Sequence, residues 1–367
     1  MSLGLCMMVK DESKNIIKTL KSCLGVIDVM IILDTGSQDN TVELIKNFSK
    51  LHEIPCFILE NDFEDFSTSR NKLFDFASKI NVKYLLLLDS NDELINGLNL
   101  RQFVKSNKMF HESYYIKLEW ERLKNTNTYY KKRLIKNTGD FKFFGKVHEY
   151  LSRVNKYGIQ YHYPSIKLDE QVKIYNLRDV DYQKSMKRYK RDYELLQEEY
   201  NVNKTPRTVF YLAQTCSCLK KYLDEYSYLR ERVNMGGFDE EIFHSYMRLG
   251  KCAENLKLDN SEIKRWYYMA YEHSERLEPI CRLSEIYNKE KNYRMSYFLL
   301  KNNIKLQIPE NILLFINYDD YKYKLWHLLG ISSYYVKNME LGKESCKRAI
   351  KEKNLMIDKN NLKFYNK

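Results

Sequence analysis

The first hundred residues alternate short apolar runs with segments of helical spacing. Four apolar runs predict strands, at 3–9, 29–33, 56–59 and 84–88. Three segments between them have the periodicity of helices, at 12–24, 42–51 and 67–80. Because wholly apolar strands separated by helices are typical of a parallel sheet covered on both faces, we predict an α/β domain with a mostly parallel, Rossmann-like sheet.

Acidic residues follow the ends of these predicted strands. Asp11 follows the first strand, Asp34 the second, Asp62 the third and Asp89 the fourth. The carboxyl ends of parallel strands meet at one edge of a sheet, and such sheets bind their ligands there. Carboxylate oxygens are the ligands that Mg²⁺ and Mn²⁺ prefer. The sequence therefore predicts a ligand site at this edge, with a divalent metal as cofactor.

The pattern changes after about position 180 to helices with few Gly or Pro residues. Leu212, Leu249 and Leu283 occupy corresponding positions in successive helical hairpins and are 37 and then 34 residues apart. This spacing is close to the period of tetratricopeptide repeats, about 34 residues. We therefore predict a catalytic α/β domain at 1–175 and an all-α, tetratricopeptide-like domain at 176–367.

Composition and cysteine usage point to a cytoplasmic protein. Hydrophobic residues make up 44% of the chain and charged residues 30%, an ordinary balance for a globular protein. The eight Cys residues form no Cys-x-x-Cys pair, so we interpret them as reduced thiols. The N-terminus lacks the pattern of a signal peptide, and no apolar run approaches the ~20 residues of a membrane span.

The positive net charge raises the possibility of a nucleic-acid partner. The first hundred residues carry a net charge of −5 and the remainder +17, which together give +12. The Lys residues of the helical half are dispersed among Glu and Asp, a pattern typical of a solvated helix surface. Nucleic-acid binding is therefore kept only as a third hypothesis.

Five ordered motifs within residues 5–149 resemble family 2 of the glycosyltransferases, which has the GT-A fold. The motifs are LCMMVKDE at 5–12, IILDTGSQDNT at 31–41, DFSTSRN at 65–71, LLLLDSND at 85–92, and the pair RLIKN at 133–137 and FGKVHE at 144–149. The helical half also resembles one branch of this family that carries a tetratricopeptide-like tail. This resemblance implies an enzyme that uses a nucleotide-sugar donor, for which we expect a UDP-linked sugar.

The resemblance also implies roles for residues that would bind the donor. Asp34 would contact the base or the ribose of the nucleotide, and Val9 and Asp11 would line the same pocket. Arg70 would face the diphosphate or support the loop that does so. Asp89 would be the first acid of the family's Asp-x-Asp motif and would bind the metal.

This chain departs from the family pattern at the second acid of that motif, which is Asn91. An amide oxygen can still bind a hard cation, but it supplies no negative charge. We predict a metal-ligand set of Asp89, Asn91 and His148, with the adjacent Asp92 as a possible substitute for the missing acid. The departure also motivates a second hypothesis, in which the protein is a catalytically weakened, nucleotide-sugar-binding scaffold on the same fold.

Inverting transfer requires a carboxylate near the acceptor hydroxyl, where it acts as the general base. Glu149 is our first candidate, and Asp92, Glu93 and Glu119 are its rivals. Because stacked helical hairpins form extended surfaces, we expect the helical half to select the acceptor. A protein or peptide acceptor is the first choice and a glycan the second.

Overall fold

The computed structural model describes residues 2–106, 109–122, 125–161, 164–169, 171–176, 182–309, 312 and 316–366, without the side chains of 120–128 and 182–184. The chain forms two compact units, Met1–Glu199 and Tyr200–Lys367. The boundary between these units falls inside a long helix rather than near position 175. The assignment of separate functions to the two parts of the chain stays a prediction.

The first unit combines strands and helices. Its strands are β1 (Leu3–Val9), β2 (Val29–Asp34), β3 (Cys56–Glu60), β4 (Tyr84–Leu87), β5 (Asp92–Ile95), β6 (Ser113–Arg122), β7 (Asn125–Lys136), β8 (Phe141–Phe144), β9 (Tyr150–Val154), β10 (Gln160–Tyr161), β11 (Ile166–Lys167) and β12 (Lys173–Asn176). Its helices are α1 (Ile16–Ser22), α2 (Thr41–Leu51), α3 (Phe66–Ala77), α4 (Gly97–Lys105) and α5 (Tyr182–Val202), the last of which runs past the boundary. The four strands and three helices predicted for the first ninety residues are confirmed.

The larger sheet is parallel on one side and mixed on the other. Within the described residues it has nine strands, in the order β3-β2-β1-β4-β7-β6-β12-β5, with β11 paired to β6. Strands β1 to β4 are parallel to one another, as predicted. Strand β7 is antiparallel to both β4 and β6, and β5 is antiparallel to β12. A separate small sheet is formed by β10, β9 and β8.

The central strands are buried on both faces because their side chains alternate between two apolar clusters. Leu5 and Met7 of β1 belong to one cluster, and Cys6 between them belongs to the other. Strand β4 alternates in the same way, with Leu86 in the first cluster and Leu85 and Leu87 in the second. This burial explains why these strands lack polar residues until they reach the edge of the sheet.

The second unit is helical. Its α-helices are α6 (Pro206–Cys218), α7 (Tyr222–Val233), α8 (Asp239–Asn255), α9 (Asn260–His273), α10 (Leu277–Lys289), α11 (Tyr293–Asn302), α12 (Leu325–Tyr335), α13 (Met339–Lys353) and α14 (Met356–Phe364), and a π-helix spans Asp320–Lys324. Each helix packs against the next, as in tetratricopeptide repeats, around a core that contains the predicted repeat positions Leu249 and Leu283. Among the described residues, no helix has both the length and the apolar character needed to cross a membrane.

Candidate functional site

The turn after β4 is held by Asp92. The Asp92 side chain is completely buried, and its carboxylate accepts hydrogen bonds from the Asp89 N–H at 2.9 Å and from Asn176 Nδ2 at 2.7 Å. The Asp92 N–H in turn donates to the Asp89 carbonyl at 3.0 Å. These bonds fix the backbone between the two residues. Asp89, whose side chain is 32% exposed, is thereby presented at the carboxyl edge of the sheet.

Arg133 reaches this turn from β7 through a β-bulge. Tyr114 pairs with Leu134 and Tyr115 pairs with Lys132, so Arg133 is the extra residue on its strand. The Arg133 Nη2 atom lies 2.6 Å from Asp89 Oδ2 and 3.3 Å from Asp92 Oδ2. Its Nη1 atom donates to the Leu87 carbonyl at 3.3 Å. The bulge thus directs a buried guanidinium onto both acids.

Arg70 joins Asp89 to Glu149. Arg70 Nη2 donates to Asp89 Oδ1 at 2.8 Å, and Arg70 Nε lies 3.0 Å from Glu149 Oε1. Both carboxylate oxygens of Asp89 therefore contact an arginine, one of them Arg70 and the other Arg133. Four of the residues that we singled out from the sequence, Arg70, Asp89, Asp92 and Glu149, lie in one connected network.

The local sequence explains how Arg70 arrives there. Asp65 caps helix α3, because its carboxylate accepts a hydrogen bond from the Thr68 N–H at 2.8 Å. One turn later, the Asn71 amide donates to the Phe143 carbonyl at 2.9 Å and accepts from the Phe143 N–H at 2.7 Å. These two hydrogen bonds hold α3 against β8. The motif at 65–71 therefore positions Arg70 next to the segment that carries Glu149.

The charges of this network perturb one another. Burial raises the pKa of Asp89, but Arg133 and Arg70 outweigh that effect and hold this pKa well below its usual range. Burial is also the main cause that raises the pKa of Asp92, with Asp89 adding to the effect and Arg133 opposing it. Lys131, two residues before Arg133, has a lowered pKa because it is buried near that guanidinium. Asp89 therefore stays ionised more firmly than Asp92.

The predicted nucleotide residues form a second, adjoining group. The Asp34 carboxylate, at the end of β2, accepts hydrogen bonds from the backbone N–H groups of Gly36 and Ser37, at 3.2 and 3.1 Å. The Asp11 carboxylate accepts from the Gln38 N–H at 2.7 Å, and the Val9 carbonyl accepts from the Thr35 N–H at 3.0 Å. The loops after β1 and β2 are therefore bonded to each other, and Asp34 orders the turn that contains Gly36.

The sheet register brings the two groups to the same edge. Val9 of β1 pairs with Asp34, while Cys6 of the same strand pairs with Leu87, two residues before Asp89. Strands β2 and β4 thus flank β1, and neighbouring strands are about 4.8 Å apart. Asp34 and Asp89 consequently end strands that are separated by roughly 10 Å. The predicted convergence of acids at one sheet edge is present for these two residues.

The predicted metal ligands Asn91 and His148 lie in different environments. Asn91 Oδ1 lies 3.4 Å from Asn176 Nδ2, beside the bond that Asn176 makes to Asp92. His148 is exposed, with a φ of 53°. Within the described ranges, no three His, Cys, Asp or Glu side chains are grouped closely enough to hold a metal ion.

Asp89 alone still fits a hard cation. A carboxylate has roughly four acceptor positions, and the two arginines occupy two of them. The side chain is ionised and about one third exposed, so the remaining positions can accept a metal ion. Mg²⁺ is commonly held by one or two carboxylates together with substrate phosphates. The donor set therefore suits a metal that arrives with a diphosphate rather than a preformed metal site.

Helix α5 packs against the loops at this edge, although the sequence assigned it to the helical domain. The Glu199 carboxylate accepts a hydrogen bond from the Lys146 N–H at 3.0 Å. The Arg191 guanidinium lies 5.6 and 5.1 Å from the ring centroids of Phe63 and Phe66. The segment that carries Glu149 is thereby anchored to this helix as well as to α3.

Sequence reasoning missed two cations of the network. Arg133 stands out in the sequence only as part of the family-like motif at 133–137, and Lys131 belongs to none of the motifs. The available signal is a run of three cations, Lys131 to Arg133, directly before the apolar residues Leu134 and Ile135 of the same strand. Buried strands rarely contain unpaired charges, so such a run indicates acidic partners nearby.

Comparison with known proteins finds similarity over the N-terminal part of the chain. Residues 5–150 match the family described as glycosyl transferase family 2. The prophage-derived glycosyltransferase SunS of Bacillus subtilis is 26% identical over 236 residues, which cover 62% of this chain and 52% of that protein. A TPR repeat-containing protein of Synechococcus elongatus is 34% identical over 94 residues, which cover 25% of this chain and 21% of that protein.

The chain spans about half the length of SunS and about a fifth of the length of the TPR protein. Among solved structures, TarS of S. aureus aligns over 75% of this chain and 53% of its own, with 12% identity and a TM-score of 0.40.

Proposed function

We propose that this protein is a glycosyltransferase that moves a sugar, with inversion, from a UDP-linked donor to a protein or peptide acceptor, with a glycan as the second acceptor class. One observation carries the proposal: the network of Arg70, Asp89, Arg133 and Glu149 lies at the carboxyl edge of a sheet within a family 2 domain. Ligands of such sheets bind at this edge.

We expect the nucleotide to bind at the loops after β1 and β2. Hydrogen bonds between these loops fix the backbone around Val9, Asp11 and Asp34 before any ligand arrives. A preordered loop lowers the entropy cost of binding the base and the ribose. Because Asp34 and Asp89 lie on strands that flank β1, a nucleotide at Asp34 directs its diphosphate toward Asp89.

Asp89 would hold the Mn²⁺ or Mg²⁺ ion, with Asn91 and His148 as additional ligands once the donor is bound. The ion would neutralise the charge that develops on the departing diphosphate. Arg70 and Arg133 orient the Asp89 carboxylate for this role and keep it ionised.

We assign the role of general base to Glu149. Its side chain is 10% exposed, and one of its oxygens is oriented by Arg70. Asp92 is the weaker candidate because it is completely buried and its oxygens accept bonds from the Asp89 N–H and Asn176. Asp92 therefore positions Asp89, whereas Glu149 retains access to an acceptor hydroxyl.

Isothermal titration calorimetry with UDP, in the presence and absence of Mn²⁺, tests the proposal. Wild type is expected to bind UDP with Mn²⁺, and Asp89→Asn is expected to weaken that binding at least tenfold, because it removes a charge from the metal ligand. Lys18→Met is the matched control, because it removes only a surface ion pair with Glu93 in the same unit. The proposal is contradicted if wild type does not bind UDP, or if Asp89→Asn binds UDP with the same affinity as Lys18→Met.

Turnover separates the enzyme from a scaffold on the same fold. A panel of UDP-sugars is incubated with the protein and Mn²⁺, and UDP release is measured. The glycosyltransferase releases UDP, and acceptor peptides accelerate the release. UDP binding without any release from the panel favours the scaffold hypothesis that Asn91 motivates.

A further inference from the structure

Lys131 differs from the other cations at the sheet edge because it has no acidic partner. Arg70 contacts Asp89 and Glu149, and Arg133 contacts Asp89 and Asp92. The Lys131 side chain makes no hydrogen bond or ion pair with any residue in the described part of the chain. Its position on β7, paired with Ile116, is nevertheless two residues from Arg133.

Lys131 still belongs electrostatically to the network. It interacts with Asp89, Glu149, Arg133 and Arg70, and it is one of the charges that hold the pKa of Asp89 low. The network without a ligand contains equal numbers of acids and cations: the acids are Asp89, Asp92 and Glu149, and the cations are Arg70, Lys131 and Arg133. Carboxylates already occupy the arginines, whereas the three N–H donors of a lysine ammonium are available at Lys131.

A half-buried ammonium without a partner costs folding free energy, since it is desolvated and gains no ion pair in return. An anion that binds beside this ammonium supplies the missing ion pair and offsets the cost. The anion that the proposed reaction brings to Asp89 is the diphosphate of the donor, which carries a negative charge on each phosphate. A lysine is a compact point charge and a common phosphate ligand in proteins.

We propose that Lys131 is a diphosphate ligand, which binds the phosphates of the nucleotide donor directly while Arg70 and Arg133 remain on the carboxylates. This inference rests on the proposed function and goes beyond it, because it divides the cations into two groups. The arginines position Asp89, and Lys131 contacts the substrate. As the sugar leaves, the Lys131 ammonium also stabilises the charge left on the diphosphate.

The test compares UDP binding, with Mn²⁺, by wild type, Lys131→Met and Lys131→Arg. Met keeps an unbranched apolar stem of similar length, so packing is preserved while the charge is removed. One lost charge-assisted bond to phosphate weakens binding about tenfold or more. Arg restores the charge and is expected to recover part of the affinity. Lys132→Met is the matched control. It removes the charge of the next residue on β7, whose amine lies over the Tyr115 ring, 5.8 Å from its centroid.

A thermal melt of each variant separates ligand binding from a structural role. Lys131→Met is expected to melt at the wild-type temperature or above it, since an unpartnered charge has been removed. Uridine, which lacks phosphate, is expected to bind both proteins equally in an NMR titration. If Lys131→Met has a lowered melting temperature and loses affinity equally for uridine and UDP, Lys131 has a structural role and the inference is overturned.

The result for wild type distinguishes the two proposals. If wild type binds UDP and Lys131→Met binds it equally well, the role of Lys131 is refuted and the proposed function stands. If wild type does not bind UDP with Mn²⁺, the proposed function fails and the inference fails with it.

Discussion

Replacing Arg133 with Met tests how the site is held together. The Arg133 side chain is 4% exposed and faces Asp92, which has no exposed surface. Removing one partner of a buried ion pair leaves an uncompensated charge and costs about 3–5 kcal/mol. The control Lys18→Met breaks an ion pair whose lysine is 54% exposed, and its expected cost is about 1 kcal/mol or less.

Hydrogen exchange in increasing urea measures this loss within the first unit. The amides of Leu3–Val9 and Tyr84–Leu87 report the opening of the central strands, independently of the helical unit. The double variant with Asp92→Asn is expected to recover part of the loss, because it neutralises the stranded acid. If Arg133→Met costs no more than Lys18→Met, the network does not stabilise the site and the reasoning fails.

The destabilisation by Arg133→Met also depends on pH. Arg133 lowers the pKa values of Asp89 and Asp92, so its loss raises both in the folded state. An acid whose folded pKa lies above its unfolded value binds more protons when folded, so stability falls as pH rises through that range. The variant is therefore expected to lose more stability at pH 7 than at pH 5. An equal loss at both values contradicts this assignment of charges.

Three further predictions follow from individual contacts. Glu149→Gln is expected to lower turnover at least about a hundredfold, because Gln cannot accept the proton, while UDP affinity changes little, because the Gln oxygen can still accept a hydrogen bond from Arg70; unchanged turnover excludes the role of general base. Asn71→Ala is expected to destabilise the first unit by about 1–3 kcal/mol in the exchange assay, because the Phe143 N–H and carbonyl lose their partner. Burial raises the pKa of Asp320 to about 7, so the helical unit is expected to lose on the order of 3 kcal/mol of stability between pH 4 and pH 7, measured by urea unfolding with tryptophan fluorescence. Asp320→Asn is expected to remove this dependence.

The parallel half of the sheet could be predicted because its signals are local. Each strand from Leu3–Val9 to Tyr84–Leu87 is an apolar run that ends at a polar residue, and the intervening helices follow ordinary periodicity. The convergence of Asp34 and Asp89 followed from the same rule, since the ends of parallel strands share an edge.

The other parts of the fold and of the candidate site depend on contacts between residues far apart in sequence. Arg133 reaches Asp89 across 44 positions, and it does so only because a bulge removes its partner on β6. The apolar pattern of a strand carries no signal for such a bulge. Likewise, α5 has the periodicity of the later helices, whereas contacts such as the bond from the Lys146 N–H to Glu199 and the stacking of Arg191 on Phe63 and Phe66 tie it to the first unit. Local patterns therefore predicted the elements but not these attachments.

The central claim is that acids at adjacent strand ends bind a metal ion and the diphosphate of an activated sugar. A thermal-shift screen of nucleotide sugars, with and without Mn²⁺, tests it most directly, because a ligand that binds the folded state raises its melting temperature. The account predicts that at least one nucleotide sugar stabilises wild type in the presence of Mn²⁺, and that Asp89→Ala abolishes the shift. Absence of a shift for every nucleotide sugar, or an undiminished shift in Asp89→Ala, would contradict it.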